Sequence, residues 1–507
     1  MLGFSWPALL RAGQLCLLSH ITSSQRYLHS IARYPNIQHF ASSLAQTQPS
    51  FTLASEKVLI LSDPDDFYAR LIGLIRGAER RLFISSLYIG STETTLIETI
   101  RDTLRCKKSL HVYLQLDYNR STRPGSSSTA ALLAPLLKEF PDRCHVSLFR
   151  SPKLKGVLSN LVPPRFNEGF GTWHAKIYGA DDTVMISGAN LNKSYFTDRQ
   201  DRYLLFSSAP DLSSYCFDFL KAVSTFSYKL LPSSTPNKLR TLFVPHWPHS
   251  STHPLHIEPQ ARFALSTLQR DYNLKSGNIH DHLQIEDSVV IFPVIQAGQF
   301  NIREEEDCLR RLFYHVGHID SRHMTPDFHP LLNLTSGYFG LSNSYKNLIL
   351  RSHIPTSIIC ASPEANGFYG SKGISSRLPE GYTWLEQKFM AAVRNSQFQD
   401  HQSVPGSVEL KEWNRHGWTY HAKGIWLSPH PKSPPILTLF GSTNLNSRSA
   451  NLDTELSFVM LANSVTVQKK LQLELQGLND FAEDWKGGRR NVRPVTKFLV
   501  WLLNGYL

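Results

Sequence analysis

Two stretches decide how this chain is read: "WHAKIYGAD", Trp173 to Asp181, and "YHAKGIWLS", Tyr420 to Ser428. Each carries His-x-Lys followed by apolar residues, so each reads as a strand with the imidazole and the ammonium on one face. The copies differ in one respect: the first runs on to Asp181 where the second has Ser428.

Working outward, the likeness extends over both flanks. Upstream, "LFISSLYIG" (82–90) matches "LLNLTSGYFG" (331–340), a buried strand ending in a small-residue turn. Each follows a segment with apolar residues at helical spacing, "DDFYARLIGLIRGAER" and "EEEDCLRRLFYHVGHI". Ser86 precedes His174 by 88 residues, and Ser336 precedes His421 by 85. Downstream come "MISGANLN" (185–192) and "LFGSTNLN" (439–446), and then an acid, Asp201 or Glu455, eleven residues beyond Asn190 or Asn444. Landmarks at near-constant spacing identify a duplicated α/β unit. The expected halves are residues 56–232 and 286–486. Between them, 233–285 is rich in Pro, Ser and His and reads as a linker or surface insertion.

The chain of 507 residues, 41% apolar, is long enough for a two-domain globular body. A net charge of +12 implies an anionic partner: nucleic acid, an acidic membrane surface or a phosphorylated substrate. Residues 1–55 contain no Asp or Glu but include Arg11, Arg26 and Arg33 among many Ser and Leu, the composition of a mitochondrial transit peptide. The six cysteines form no CxxC pair, which argues against a zinc cluster or disulfide framework, and no apolar run reaches membrane-spanning length. The tail, 487–507, joins a basic run, "KGGRRNVRPVTK", to "FLVWLLNGYL". It suits either an anchor on an anionic leaflet or a final helix docked on the protein.

An imidazole beside an ammonium suits attack on an anionic phosphorus. The Lys neutralises the phosphate oxygens while the His serves as nucleophile or proton carrier. Asn190 and Asn444 supply neutral donors; Ser187 and Ser442 are either further donors or turn residues. A carboxylate on the second ring nitrogen would orient each histidine, and Asp201 and Glu455 are placed equivalently for that task. Two such sets allow double displacement through a covalent phospho-histidine, with no metal or other cofactor called for. Arg120 and Arg123, in the loop 117–128, and Arg165, upstream of His174, are weaker candidates for gripping a substrate phosphate.

H-x-K-x4-D followed by G-[SG]-x-N resembles the signature of the phospholipase D superfamily, over nearly all of the chain. "SGANLNKSYFTDRQDRY" and "YHAKGIWL" with "LTLFGSTNLNSRSANLDTEL" are more closely similar to the mitochondrial phosphatidylglycerophosphate synthases. The resemblance implies two mixed sheets flanked by helices, with one active site at a pseudo-twofold interface. It implies CDP-diacylglycerol and glycerol-3-phosphate as substrates, an anionic membrane surface as partner, and a peripheral place on the mitochondrial inner membrane. On that pattern His174, Lys176, Asp181, His421 and Lys423 form the catalytic set, with His174 attacking and His421 deprotonating the acceptor. Strand alternation leaves Asp181 off the face of His174 and Lys176, so its residue-level reading is a cap on the turn "GADD". The alternative is a related phosphodiesterase acting on nucleic acid or another phospholipid. Asp181 and "GANLNKSYFTDRQDRY" speak against nucleic acid. Nothing in the sequence specifies an oligomeric state.

Overall fold

The computed structural model describes residues 31–123, 128–154, 167–233, 242–317, 328–399 and 407–503. Its centre is a pair of mixed sheets with one strand order written twice. In the first half the strands run Tyr228–Pro232, Cys144–Phe149, His111–Asp117, Arg81–Ser85, Ile177–Ala180, Thr183–Ser187, Tyr203–Phe206 and Val58–Leu61. In the second the corresponding path is Ala482–Asp484, Val408–Trp413, Thr356–Ala361, Leu331–Ser336, Lys423–Ser428, Leu437–Gly441, Glu455–Asn463 and Ser288–Ala297. In both, the strand ending in Ser85 or Ser336 pairs parallel on one side and, on the other, antiparallel with the strand that the motif leads into; His174, Lys176 and His421 stand just before those strands rather than within them.

Helices cover the outer faces for the reason the apolar spacing gives. Pro64–Gly77 starts with proline at its first position and buries Phe67, Leu71 and Ile75. Glu304–Gly317 buries Cys308, Leu312 and Val316. The inner faces meet in a core shared by both halves, where Trp173, Phe206, Tyr420, Trp426 and Phe440 are all buried.

The join between halves sets the site. Arg199–Gln200 pairs parallel with Thr419–Tyr420, and the His421 N–H donates to the Gln200 carbonyl at 2.8 Å. Reciprocally, the His174 N–H donates to the Thr454 carbonyl at 3.0 Å. Each histidine therefore lies against the segment that leads to the other half's acid.

A buried ion pair staples the same interface. Arg202 holds Glu474 through Nε to Oε1 and Nη2 to Oε2, both 2.8 Å, while its guanidinium stacks on Trp426 at 3.8 Å. Removing one member of such a pair strands the other charge, so Arg202→Ala is expected to cost about 3–5 kcal/mol. Chemical denaturation checks this; an unmoved midpoint would show that the pair contributes nothing.

Two segments carry more structure than their composition suggests. Residues 31–54, expected within the leader, are folded: helix Pro35–Ala45 buries Ile37, Phe40, Ala41 and Leu44 in the second half's outer core. Phe51–Ala54 then pairs antiparallel with Ser288–Ala297. An acid-free amphipathic helix and edge strand have the composition of a transit peptide, which is why position 55 looked like the limit. Residues 1–30 lie outside the described residues. The segment 233–285 is an insertion with its own elements: Phe243–His246 extends the first sheet, and Glu258–Asn273 packs Ala261, Leu265 and Leu268 into the shared core.

Candidate active site

Lys176 and Lys423 are each 1% exposed, so their ammonium groups require anionic company. Each Nζ donates to its own motif's histidine carbonyl at 2.6 Å. The histidine–carboxylate pairs are crossed between halves. His174 Nδ1 lies 2.9 Å from both oxygens of Glu455, and His421 Nδ1 lies 2.6 Å from Oδ2 of Asp201. With Nδ1–H donating to the carboxylate, Nε2 of each ring keeps its lone pair for chemistry. Ser442 and Ser449 both donate to Glu455, the latter at 2.8 Å. The Arg202 backbone N–H donates to Asp201 at 2.9 Å.

Burial and neighbouring cations set the proton affinities. His421 is driven well below the usual imidazole value by burial first, then by Lys423, Arg199, Lys176 and His174. His174 is lowered too, by burial and Lys176 against the pull of Glu455. Glu455, whose burial is outweighed by His174, Lys176 and Ser442, stays ionised. Lys423 is pushed down to about 8, chiefly by burial. Lys176, which burial drives well below the usual ammonium value, Lys423 and Arg199 thus face Asp201 and Glu455. Two buried ammonium groups and a guanidinium in one cleft suit an anionic phosphodiester.

The pH dependence follows from these directions. Activity rises as the histidines lose their protons, so the acid limb of kcat/KM is expected below the ordinary histidine value of 6.5. It falls again on the alkaline side as the two buried lysines lose their charge, Lys423 near pH 8 and Lys176 likewise well below its usual value. A Lys423→Arg variant that retains activity moves the alkaline limb upward; an unchanged limb assigns it to another group.

The other candidates divide. Asn190 and Asn444 occupy equivalent turns, each with a buried side-chain oxygen lacking a hydrogen-bond partner. Asn190 Nδ2 donates to the Tyr195 hydroxyl at 3.1 Å; a half-turn of that amide turns its donor end into the space the orphaned oxygen faces. Ser187 is a turn residue, donating to the Arg202 carbonyl at 2.8 Å and accepting from the Ala189 N–H. Ser442 orients Glu455. Asp181 does not join the cluster: at the far end of its strand, about 16 Å of extended chain beyond Lys176, it accepts from the backbone N–H groups of Glu79, Arg80 and Arg81 at 2.8–3.1 Å. Its backbone is left-handed, φ 49°, as a turn cap requires. Arg120 stacks over Tyr88 at 4.3 Å, and Arg123 ends the same described segment. Arg165 lies outside the described residues.

His174, Asp453 and Glu455 bring ligand-type atoms within 4.8 Å of one another. Their oxygens are already engaged, Asp453 with Thr172 at 2.9 and 3.0 Å and with Arg448 at 2.9 Å. The trio reads as a hydrogen-bond network.

No family model matches the chain. Among curated proteins, "CDP-diacylglycerol--glycerol-3-phosphate 3-phosphatidyltransferase" of Schizosaccharomyces pombe is 33% identical, covering 84% of this chain and 89% of its own. The mitochondrial enzymes of that name from Gallus gallus and Homo sapiens are 33% and 32% identical, covering 85% of this chain and 79% and 78% of theirs. The chain belongs to the CDP-diacylglycerol–glycerol-3-phosphate 3-phosphatidyltransferase family. Among solved structures, Haemophilus influenzae phosphatidylserine synthase superposes with TM-score 0.66 at 18% identity over 93% of this chain and 100% of that one, and so shares its fold.

In this phosphatidyltransferase-family chain the structure adds residues that sequence reasoning missed. Tyr195 and Tyr338 set their rings edge-on to His421, with centroids 5.1 and 5.5 Å away. Tyr88 and Tyr338 occupy equivalent places in the two quoted strand-turn segments, which was the available signal. Gly188, in "SGAN", admits no side chain: a Cβ there would sit 2.5 Å from Asp201 Oδ1 and 2.8 Å from Lys423 Nζ. Gly188→Ala is expected to lower turnover at least about 100-fold by displacing groups that must hold catalytic geometry; wild-type turnover would show that the pair relaxes freely.

Proposed function

We propose that the chain transfers the phosphatidyl group of CDP-diacylglycerol to sn-glycerol-3-phosphate, giving phosphatidylglycerophosphate and CMP, the committed step towards phosphatidylglycerol and cardiolipin. The observation that carries this reading is the pair of crossed histidine–carboxylate contacts beside two buried lysines, in a family named for this reaction. His174 Nε2 attacks the phosphorus bonded to the diacylglycerol oxygen, and the bond to the CMP phosphate breaks. The phosphatidyl group then rests on His174, its oxygens neutralised by Lys176 and Lys423. His421, kept neutral by its surroundings, takes the proton from the primary hydroxyl of glycerol-3-phosphate. That oxygen displaces His174. CMP needs little protonation to leave near neutral pH, so His421 acts chiefly as a base.

The test uses protein starting at Ile31, since residues 31–54 belong to the fold. CDP-diacylglycerol, labelled glycerol-3-phosphate and EDTA are supplied, and labelled phosphatidylglycerophosphate is expected. Failure to form it, with cleavage of single-stranded DNA instead, would sink the reading in favour of the nucleic-acid phosphodiesterase.

The setting belongs to the same proposal: a mitochondrial protein, with any leader confined to residues before Ile31, resting peripherally on the inner membrane. No helix among the described residues is long and apolar enough to cross a membrane. Helix Pro494–Leu502 buries Thr496 and Val500 but exposes Val495, Phe498, Trp501 and Leu502, beside the ion pair of Arg493 with Glu380. An exposed apolar helix face suits a bilayer surface. Replacing Phe498 and Trp501 together with serine is expected to weaken flotation with cardiolipin-containing vesicles at least tenfold at unchanged melting temperature. Unchanged flotation removes the helix from membrane binding.

A further inference from the structure

Arg199 stands two residues before Asp201, where the second half has Asp453 two before Glu455. The two positions differ in charge and in company. Asp453 is consumed by Thr172 and Arg448, whereas no ion pair joins Arg199 to a carboxylate among the described residues. Its Nε donates to Thr419 Oγ1 at 2.9 Å and its guanidinium lies 4.4 Å over the Tyr195 ring, which fixes the plane of the fork. Nη2 and the Tyr338 hydroxyl lie together against the bare face of Gly367, where an added Cβ would lie 3.2 and 2.9 Å from them and displace one or both. Both Tyr195 and Tyr338 flank His421. Arg199 therefore stands on the His421 side of the cleft.

We propose that Arg199, with the Tyr338 hydroxyl, forms a phosphomonoester subsite beside His421 that holds the non-reacting phosphate of the substrates. The inference rests on the phosphatidyltransferase reading above. In-line displacement by His174 puts both the departing nucleotide and the entering acceptor opposite that histidine, on the side of His421. Either can present a phosphate monoester there: CMP its own, glycerol-3-phosphate the one at its far end. A planar, partly enclosed guanidinium is the side chain that grips such a group with two parallel hydrogen bonds. The arriving dianion also offsets the cations that weaken His421 as a base, so acceptor binding prepares its own deprotonation.

The experiment compares wild type with Arg199→Gln and with Gly367→Ala, which displaces the Tyr338 hydroxyl and the guanidinium while keeping the arginine. Two quantities are read: the ratio of kcat/KM for glycerol-3-phosphate to that for glycerol, and the inhibition constant for CMP. A ratio falling about 10- to 100-fold in both variants, the loss of charge-assisted hydrogen bonds, assigns the subsite to the acceptor. A rise of similar size in the CMP constant alone assigns it to the nucleotide. Ratio and CMP constant both unchanged, or equal losses with both acceptors, overturn the subsite. Should Arg199→Gln fail to fold, Tyr338→Phe is read in the same way. Wild-type protein that makes no phosphatidylglycerophosphate sinks the proposed function instead, so the two failures are distinct.

Discussion

His174→Ala is expected to abolish release of CMP from CDP-diacylglycerol in the absence of acceptor, with overall turnover falling by about 10⁴ or more. His421→Ala is expected to release about one equivalent of CMP per enzyme and then stop, leaving a phosphatidyl adduct that denaturation preserves. The difference follows from geometry. Both rings are buried and neutral, but His174 is served by Glu455, which two serine hydroxyls keep in place and ionised. It is the more basic of the two, because His421 is hemmed by Lys423, Arg199 and Lys176. A nucleophile gains from basicity, and an attacking His174 leaves His421 on the acceptor's side. An adduct trapped in His174→Ala, with none in His421→Ala, would reverse the order of the two histidines.

The second large effect tests the crossing itself. Glu455→Gln keeps the shape of the carboxylate and removes its charge, so the His174 tautomer is no longer enforced; a loss of about 10²- to 10⁴-fold is expected. The loss should fall on CMP release, the step of the first half's histidine, although Glu455 belongs to the second half. Asp201→Asn should leave the CMP burst and slow transfer to glycerol-3-phosphate. Rapid-quench kinetics separates the steps. Carboxylates that served the histidines of their own halves would give the opposite assignment.

Much of this was legible in the chain because a duplication checks itself. His174 and His421, Lys176 and Lys423, Asn190 and Asn444 and the acids eleven residues on could be paired without knowing any fold. Which acid serves which histidine was not legible, since the crossing is made by backbone pairing between Gln200 and His421 and between Thr454 and His174, contacts with no local pattern. The fold of residues 31–54 was hidden for a different reason: composition cannot separate an acid-poor targeting segment from an acid-poor helix that buries Phe40 and Leu44. Arg199 was visible in "YFTDRQDRY" as a family mark, but its value depends on Thr419 and Gly367, more than a hundred residues away.

The strand Phe51–Ala54 has a bearing on how the protein comes into being. It closes the edge of a sheet whose remaining strands lie between residues 288 and 484, and the Ile31 N–H reaches the Asn463 side chain at 3.2 Å. A chain emerging from its N-terminus delivers this strand first and must hold it unpaired until Ser288–Ala297 appears. Such long sequence separation slows folding and leaves an open edge and an apolar helix face exposed meanwhile. Vectorial synthesis or threading through a pore therefore keeps the second half incomplete until nearly the whole polypeptide is through. Because Glu455 and His421 also come from that half, no partly delivered chain can carry out either chemical step.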